Sequence, residues 1–217
     1  MRNLIHKLPT PLIYLITDRR LLPRQMRGPE LRFLVEFVAR AFSAGVDLVQ
    51  IRERDLSARD LFYLTHEVTG LAHSAGAAKV LVNDRVDVAR SAGSGVHLTT
   101  HSLTAEAVRE AFGAEILIGV STHSLDEAET AERGGADFVV FGPIFETASK
   151  KTLGNPVGVE PLRQVAGSLK IPVLALGGIK PANVPEVLDA GASGVAGISM
   201  FTDNQDLNSL VAAIKDH

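Results

Sequence analysis

The sequence predicts an α/β chain folded as one (β/α)8 TIM barrel. Two observations carry that expectation. First, eight short runs rich in Val, Ile and Leu recur along the chain with little polar alternation. Strands covered by helices on both faces read in this way. Second, a Gly-containing helix exit leads into a strand four times, in AGVDLV (44–49), AGSGVHL (92–98), GGADFVV (134–140) and AGASGVA (191–197). Gly just past a helix end takes a left-handed backbone without strain, so recurrence of this joint marks repeated βα units. Eight units within 217 residues fit a compact barrel. A doubly wound open sheet is the competing arrangement.

Taken in order, residues 1–11 form a lead-in to strand 1, LIYLI (12–16). The basic stretch RRLLPRQMRG (19–28) reads as a loop. PELRFLVEFVARAFSAG (29–45) reads as a helix, with Leu31, Leu34, Val35, Val38 and Phe42 on one face. DLVQI (47–51) is strand 2, followed by a helix over 57–76 with Leu61, Leu64, Val68 and Leu71 aligned. KVLVN (79–83), GVHL (95–98) and ILIGV (116–120) are strands 3 to 5. SLDEAETAERGG (124–135) has a Ser N-cap, acidic residues in its first turn and a Gly exit, the marks of a helix. DFVVF (137–141), PVLAL (172–176) and GVAGI (194–198) complete the strands, with KPANVPEVLDAG (180–191) as a helix before the last. No Pro/Ser linker or low-complexity segment divides the chain, so residues 1–217 read as one domain.

Composition narrows the function. Hydrophobic residues make up 46% of the chain, enough for a substantial core. A net charge of −3 and a pI of about 6.2 argue against a general nucleic-acid binder. Aromatics at 5% without Trp argue against a base-stacking platform. There is no Cys, so disulfides, thiolate metal sites and Cys nucleophiles are excluded. LIYLI is too short for a membrane span or signal core. A cytoplasmic chain with no membrane or nucleic-acid partner is expected. Homo-oligomer formation stays open.

In barrels of this kind chemistry sits at the C-terminal ends of the strands. There the sequence places Thr17-Asp18-Arg19, Arg52-Glu53-Arg54, Asn83-Asp84-Arg85, Thr99 to Ser102, Ser121-Thr122-His123, Gly177-Gly178 and Ser199-Met200. Any one of these reads as a solvated loop. Polar groups at nearly every strand end on one face read as a site. Gly177-Gly178 and Gly197-Ile198-Ser199 follow strands 7 and 8, where barrels often hold phosphate on backbone N–H groups. FGPIFETASKK (141–151) ends in hydroxyls and lysines, so Thr147, Ser149 and Lys150 would face an anion; Lys151 reads as solvated. His123 precedes a helix cap and suits general acid/base work or a packing role equally. His97 lies within a strand and points into the barrel. Asp84 alone is a weak metal signal. Asp18, Asp87 and Glu53 serve equally as salt-bridge partners.

At these residues the chain resembles the thiamine phosphate synthase/TenI superfamily, from about Leu12 to Phe201. QIRERD (50–55), VNDRVDVA (82–89), GVHL (95–98), IGVSTHS (118–124), ADFVVFGPIFETASK (136–150), PVLALGG (172–178) and GASGVAGIS (191–199) follow that family's order. The resemblance implies a (β/α)8 barrel, a small-molecule thiazole-phosphate ligand and a place in vitamin B1 biosynthesis. In the synthase branch, an aminopyrimidine pyrophosphate is joined to a thiazole phosphate with Mg2+. Carried over residue by residue, Gln50, Arg52, Asn83, Ser121 and Lys150 match pyrimidine and pyrophosphate positions. Asp84 matches a metal ligand, Thr147 and Ser149 a hydroxyl pair, and Gly178 and Ser199 the thiazole-phosphate end. Gly177 and Ile198 accompany that end.

Two departures bear on the branch. The synthases' second metal-binding Asp is Ser102 here, and a Lys of their Arg-Glu-Lys segment is Arg54. TenI-type tautomerases need no metal and aromatise a carboxythiazole phosphate by proton transfer. FETASKK resembles their Phe-Glu-Thr-x-x-Lys-Lys segment, and His123 matches their proposed catalytic His. The leading expectation is therefore a thiazole tautomerase without a cofactor. A Mg2+-dependent thiamine phosphate synthase is the alternative, with His101 or a water-bridged Ser102 completing the metal site. A non-catalytic thiazole-phosphate-binding regulator is the third.

Overall fold

The computed structural model describes Ile5 and residues 8–22, 31–76, 78–147 and 155–217. Eight parallel strands close into a barrel in sequence order, with β8 pairing back to β1. They are β1 Leu12–Ile16, β2 Leu48–Ile51, β3 Lys79–Asn83, β4 Gly95–Leu98, β5 Ile118–Thr122, β6 Phe138–Phe141, β7 Val173–Leu176 and β8 Gly194–Gly197. Around them run α1 Arg32–Ser43, α2 Ala58–Ser74, α3 Val86–Ala92, α4 Ala105–Phe112, α5 Leu125–Arg133, α6 Val159–Ser168, α7 Val184–Asp189, α8 Ser199–Thr202 and α9 Leu207–Lys215. The barrel expectation holds and the open sheet falls.

Strand alternation divides the apolar residues into two cores. Ile13, Leu15, Val49, Ile51, Val80 and Val82 face outward and pack under the helices. Tyr14, Leu48, Leu81, Phe138, Leu174 and Ala196 fill the interior. The lead-in is partly used here, since Ile5 and Leu8 pack on this inner cluster.

Four differences from the sequence reading have physical causes. Strand 5 starts at Ile118, not Ile116, because the ladder register pairs Val96 with Ile118; Ile116 and Leu117 are buried but precede the pairing. Ser121 and Thr122 therefore lie within β5 rather than after it. Residues Arg19–Leu21 form a 3-10 turn, whose N-terminus Asp18 caps through Arg20 N; residues 23–30 lie outside the described part. The helix expected over 180–191 splits into a 3-10 turn, Pro181–Asn183, and α7. The sequence reading names no helix at α3, α4, α6, α8 or α9. The first two carry weak signals, a left-handed Gly93 exit and a Thr104 cap on Ala107 N.

The bottom of the barrel is tied by one buried carboxylate. Asp47 Oδ2 accepts from Ile13 N at 2.8 Å and from Lys215 Nζ at 2.8 Å. Lys215 also donates to the Pro9 and Pro11 carbonyls at 3.2 and 2.7 Å, so the last helix is fastened to the first strand. Asp47→Ala strands the Ile13 N–H and takes the counter-charge from the Lys215 ammonium. We expect it to cost roughly 2–4 kcal/mol in urea unfolding. A loss under about 0.5 kcal/mol would show that water satisfies both donors.

Candidate active site

The C-terminal mouth of the barrel gathers the polar strand ends. Gln50 sits in β2, buried to 1% exposure, with Nε2 donating to Tyr14 Oη at 3.2 Å. Arg52 follows the strand and is half-buried. Its backbone is held by Thr17, whose Oγ1 accepts from Arg52 N at 3.0 Å and donates to Glu53 Oε1 at 2.8 Å. Its guanidinium has no carboxylate within ion-pair distance among the described residues. Burial pulls its pKa below the usual arginine value, and the Arg54 charge adds to this; an arginine stays protonated nonetheless. A half-buried cation without a paired anion is costly and is suited to receive an anionic ligand.

The neighbouring carboxylates are committed elsewhere. Glu53, 4% exposed, accepts from Arg19 N and from Arg19 Nη1 at 3.1 and 2.8 Å. Arg19 then forks onto Asp55 at 2.7 and 2.6 Å. Asp18 pairs with Arg20, whose hydrogen bonds hold the carboxyl below its usual range. Arg85 turns away to Asp87. The salt-bridge readings of Asp18, Asp87 and Glu53 hold.

Asp84 is different. Asn83 ends β3, and Asp84 follows at φ 65°, the one non-Gly residue with positive φ among the described residues. Asp tolerates this left-handed region better than most residues, but it is rarely placed there without cause. The turn is locked by Asp84 N donating to His97 O at 2.8 Å and Val86 N to Asp84 O at 3.0 Å. The exposed Asp84 opens onto a cleft of about 390 Å3 that it shares with Arg54, Asn83, Thr99 and His101. Ser102 does not join it through a free hydroxyl: Ser102 Oγ accepts from Thr99 N at 2.9 Å and lies 3.1 Å from Thr99 Oγ1.

A Mg2+ ion fits this end in a reduced form. Among the described residues, no three His or carboxylate groups cluster as a metal cage. Mg2+ is commonly held by one or two carboxylates together with substrate phosphates and water. Asp84 would supply one such carboxylate, and His101 rather than Ser102 lines the cleft with it.

His123 is exposed just past β5. Its N–H donates to Glu127 Oε2 at 2.7 Å, and its Nδ1 lies 2.5 Å from the Gly142 carbonyl. A carbonyl only accepts, so Nδ1 carries a proton, and in the neutral ring Nε2 keeps its lone pair. That tautomer suits a base or an acceptor.

On the opposite part of the rim, Gly177 (φ 97°) and Gly178 (φ 66°) have a packing reason to be glycine. A Cβ on Gly177 would meet Pro143 at 2.6 Å, and one on Gly178 would meet Glu146 O at 2.5 Å. Phe145 N donates to Gly177 O at 3.0 Å, zipping the loop after β6 to the turn after β7. Ile198 and Ser199 follow β8; Ile198 is half-buried against the inner cluster and Ser199 opens α8. Thr147 is half-buried on the loop after β6. Ser149 and Lys150 lie outside the described residues.

Sequence reasoning missed two interior residues. Tyr14 is the one polar side chain in LIYLI, and it hydrogen-bonds at the centre of the barrel. Gly119 in β5 makes room there: a Cβ would lie 2.4 Å from Phe138 Cζ and 2.9 Å from His97 Nδ1. His97 does point inward, as expected, and is 2% exposed.

Comparison with known proteins bears on the whole barrel. The thiamine monophosphate synthase (TMP-TENI) profile matches residues 13–201, from β1 through most of α8. The chain belongs to this family. A thiamine-phosphate synthase of Roseiflexus sp. strain RS-1 is 38% identical over 204 residues, covering 94% of this chain and 83% of the relative. One from Moorella thermoacetica is 38% identical over 183 residues, covering 84% and 87%. A solved structure of thiamine phosphate pyrophosphorylase from Pyrococcus furiosus superposes with a TM-score of 0.82 at 32% identity, covering 99% and 96% of the two chains. The superfamily expectation is met, whereas its tautomerase branch draws no support from these names. No helix among the described residues is long and apolar enough to cross a membrane.

Proposed function

We propose that the chain is a thiamine-phosphate synthase, joining an aminopyrimidine pyrophosphate to a thiazole phosphate and releasing pyrophosphate. The observation that carries this reading is Arg52, a half-buried guanidinium with no ion-pair partner among the described residues, at the end of the strand that pairs with the one leading to the left-handed Asp84. This anion-seeking end lies on β2 and β3, away from the glycine turns after β7 and β8. Two ends for two anionic substrates suit a coupling enzyme; a tautomerase needs one. The similarity to proteins named thiamine-phosphate synthase favours the same order.

In this reading Gln50 and Ser121 hold the pyrimidine, while Arg52, Arg54, Asn83 and Lys150 hold the pyrophosphate. Gly177, Gly178, Ile198 and Ser199 hold the thiazole phosphate, with Thr147 and Ser149 from the loop after β6. Bound Mg2+, when present on Asp84, supplies neutralisation of the departing charge. Arg52 contributes a fixed cation in a partly desolvated position, where it acts more strongly than in water.

The tautomerase is the second reading, favoured by the bare Nε2 of His123 and by neutral Ser102. Paired assays separate the readings. One holds both synthase substrates with Mg2+ and follows thiamine phosphate. The other holds the non-aromatic carboxythiazole phosphate with EDTA and follows the aromatic ring. We expect coupling in the first, lost on adding EDTA and lowered less than about 10-fold by His123→Ala. Aromatisation in the second without coupling in the first, abolished by His123→Ala, would replace this reading with the tautomerase. Silence in both with thiazole phosphate still bound would leave a regulator.

A further inference from the structure

A single file of hydrogen bonds crosses the barrel interior, linking four strands. Gln50 Nε2 donates to Tyr14 Oη at 3.2 Å, Tyr14 Oη lies 3.1 Å from His97 Nδ1, and His97 Nε2 lies 2.8 Å from Ser121 Oγ. Tyr14 is fully buried and His97 nearly so. Aromatic contacts hold the rings in place: Tyr14 meets Phe138 edge-on with centroids 5.6 Å apart, and His97 lies 5.7 Å from Tyr14. Gly119 leaves the room they occupy.

The proton count along this file is closed. A tyrosine hydroxyl has one hydrogen. Gln50 donates to Tyr14 Oη, and His97 Nδ1 is that buried oxygen's other partner among the described residues, so the hydrogen goes to His97 Nδ1, which must then be bare. The neutral ring carries its proton on Nε2 and donates to Ser121 Oγ. Ser121, already accepting, has its own hydrogen left to give elsewhere. We infer that Tyr14 and His97 are positioning residues that fix the Ser121 hydroxyl as a hydrogen-bond donor toward the barrel mouth. The same file leaves Gln50 Oε1 available as an acceptor. A ligand edge seated between them would present an acceptor to Ser121 and a donor to Gln50, as a ring nitrogen beside an exocyclic amine does. Only the identity of that ligand rests on the synthase reading; the polarity of the file does not.

The reverse file, with the Gln50 amide turned over and every bond reversed, keeps the same contacts. It would place the proton on His97 Nδ1 and make Ser121 an acceptor. Nitrogen-15 NMR of the imidazole in the ligand-free wild type distinguishes them. We expect the Nε2–H tautomer, shifting to a mixture in Tyr14→Phe, where nothing remains to donate to Nδ1. Steady-state coupling supplies the second readout. Tyr14→Phe is expected to raise KM for the pyrimidine pyrophosphate about 10-fold, with a smaller effect on kcat. In a Ser121→Ala background the same substitution should add little, because Tyr14 acts through Ser121. An Nδ1–H tautomer in the wild type, or additive KM effects in the double variant, would overturn the inference. Wild type with the Nε2–H tautomer but no coupling would sink the synthase reading and leave the polarity supported.

Discussion

Arg52→Ala is expected to lower kcat/KM for coupling about 10²- to 10³-fold, the range seen when a preorganised group facing developing charge is removed. Arg52→Lys should fall between, because an ammonium restores the charge but not the bidentate fork. Stability should move the other way. Arg52 is desolvated by burial, and the attraction of Asp18 and Glu53, neither of which forms an ion pair with it, does not make up that cost. Removing it should therefore leave the urea midpoint unchanged or raise it, the trade-off expected of a group placed for a ligand rather than for the fold. If Arg52→Ala instead unfolded at lower urea and kept its kcat/KM, the guanidinium would be a packing element. The proposal would then lose its main support. Asp84→Asn tests the other half of this end: its coupling should require far more Mg2+ than the wild type, with little change in stability.

The second large effect concerns acid stability. Burial pushes the His97 pKa down to about 3, and the nearby Arg52 charge adds to this. In the unfolded chain the group titrates near 6.5. Above pH 6.5 both states are neutral and His97 makes no pH-dependent contribution. Below it the unfolded chain takes up a proton that the folded barrel refuses. Stability is therefore lost as pH falls from 6.5 toward about 3, by about 1.4 kcal/mol per pH unit once the unfolded group is charged. Carboxylates held low by arginines, such as Asp18 and Asp87, lose their contribution only in more acidic solution. The interval from pH 6.5 down to about 4.5 therefore stays clear of those carboxylates, and the difference between wild type and a His97 variant reports on this residue. We expect His97→Gln to be less stable than wild type at pH 7.5, where its neighbours lose their partner, yet to show a flatter fall toward pH 4.5. Parallel urea midpoints for the two proteins across that interval would mean that His97 is protonated within the fold.

The same residue shows where sequence reasoning stops. His97 could be placed inside a strand and aimed inward from GVHL alone. That it faces Tyr14, 83 residues away, and Ser121, 24 residues away, depends on barrel closure. Period-two alternation says which side of a strand a residue takes, but only the register across neighbouring strands says what it meets. The two-residue error in strand 5 is of the same kind. Leu117 is as apolar as Ile118, and the pairing of Val96 with Ile118 decides between them.

Charge assignments divide in the same manner. Arg52, Glu53 and Arg54 are adjacent in sequence and read alike as rim charges. Folding buries Glu53 onto Thr17 and Arg19, leaves Arg54 exposed, and keeps Arg52 half-buried without such a partner. Gly177 and Gly178 were read as phosphate-approach positions. Their positive φ and the backbone of the β6 loop pressed against them supply a packing reason that no spacing reveals.

By itself the sequence determined the barrel, the sequence of its strands, the rim on which polar strand ends gather and the family. These follow from local patterns: apolar runs of strand length, glycine exits and short motifs in order. Only the tertiary structure decided that Arg52 is half-buried without an ion pair among the described residues, that Asp84 takes a left-handed backbone, and that a polar file threads the core from Gln50 to Ser121. Those are properties of neighbours brought together from distant strands. A hydrogen bond or a desolvated charge is fixed by distances of a few ångströms, and these exist only once the barrel has closed.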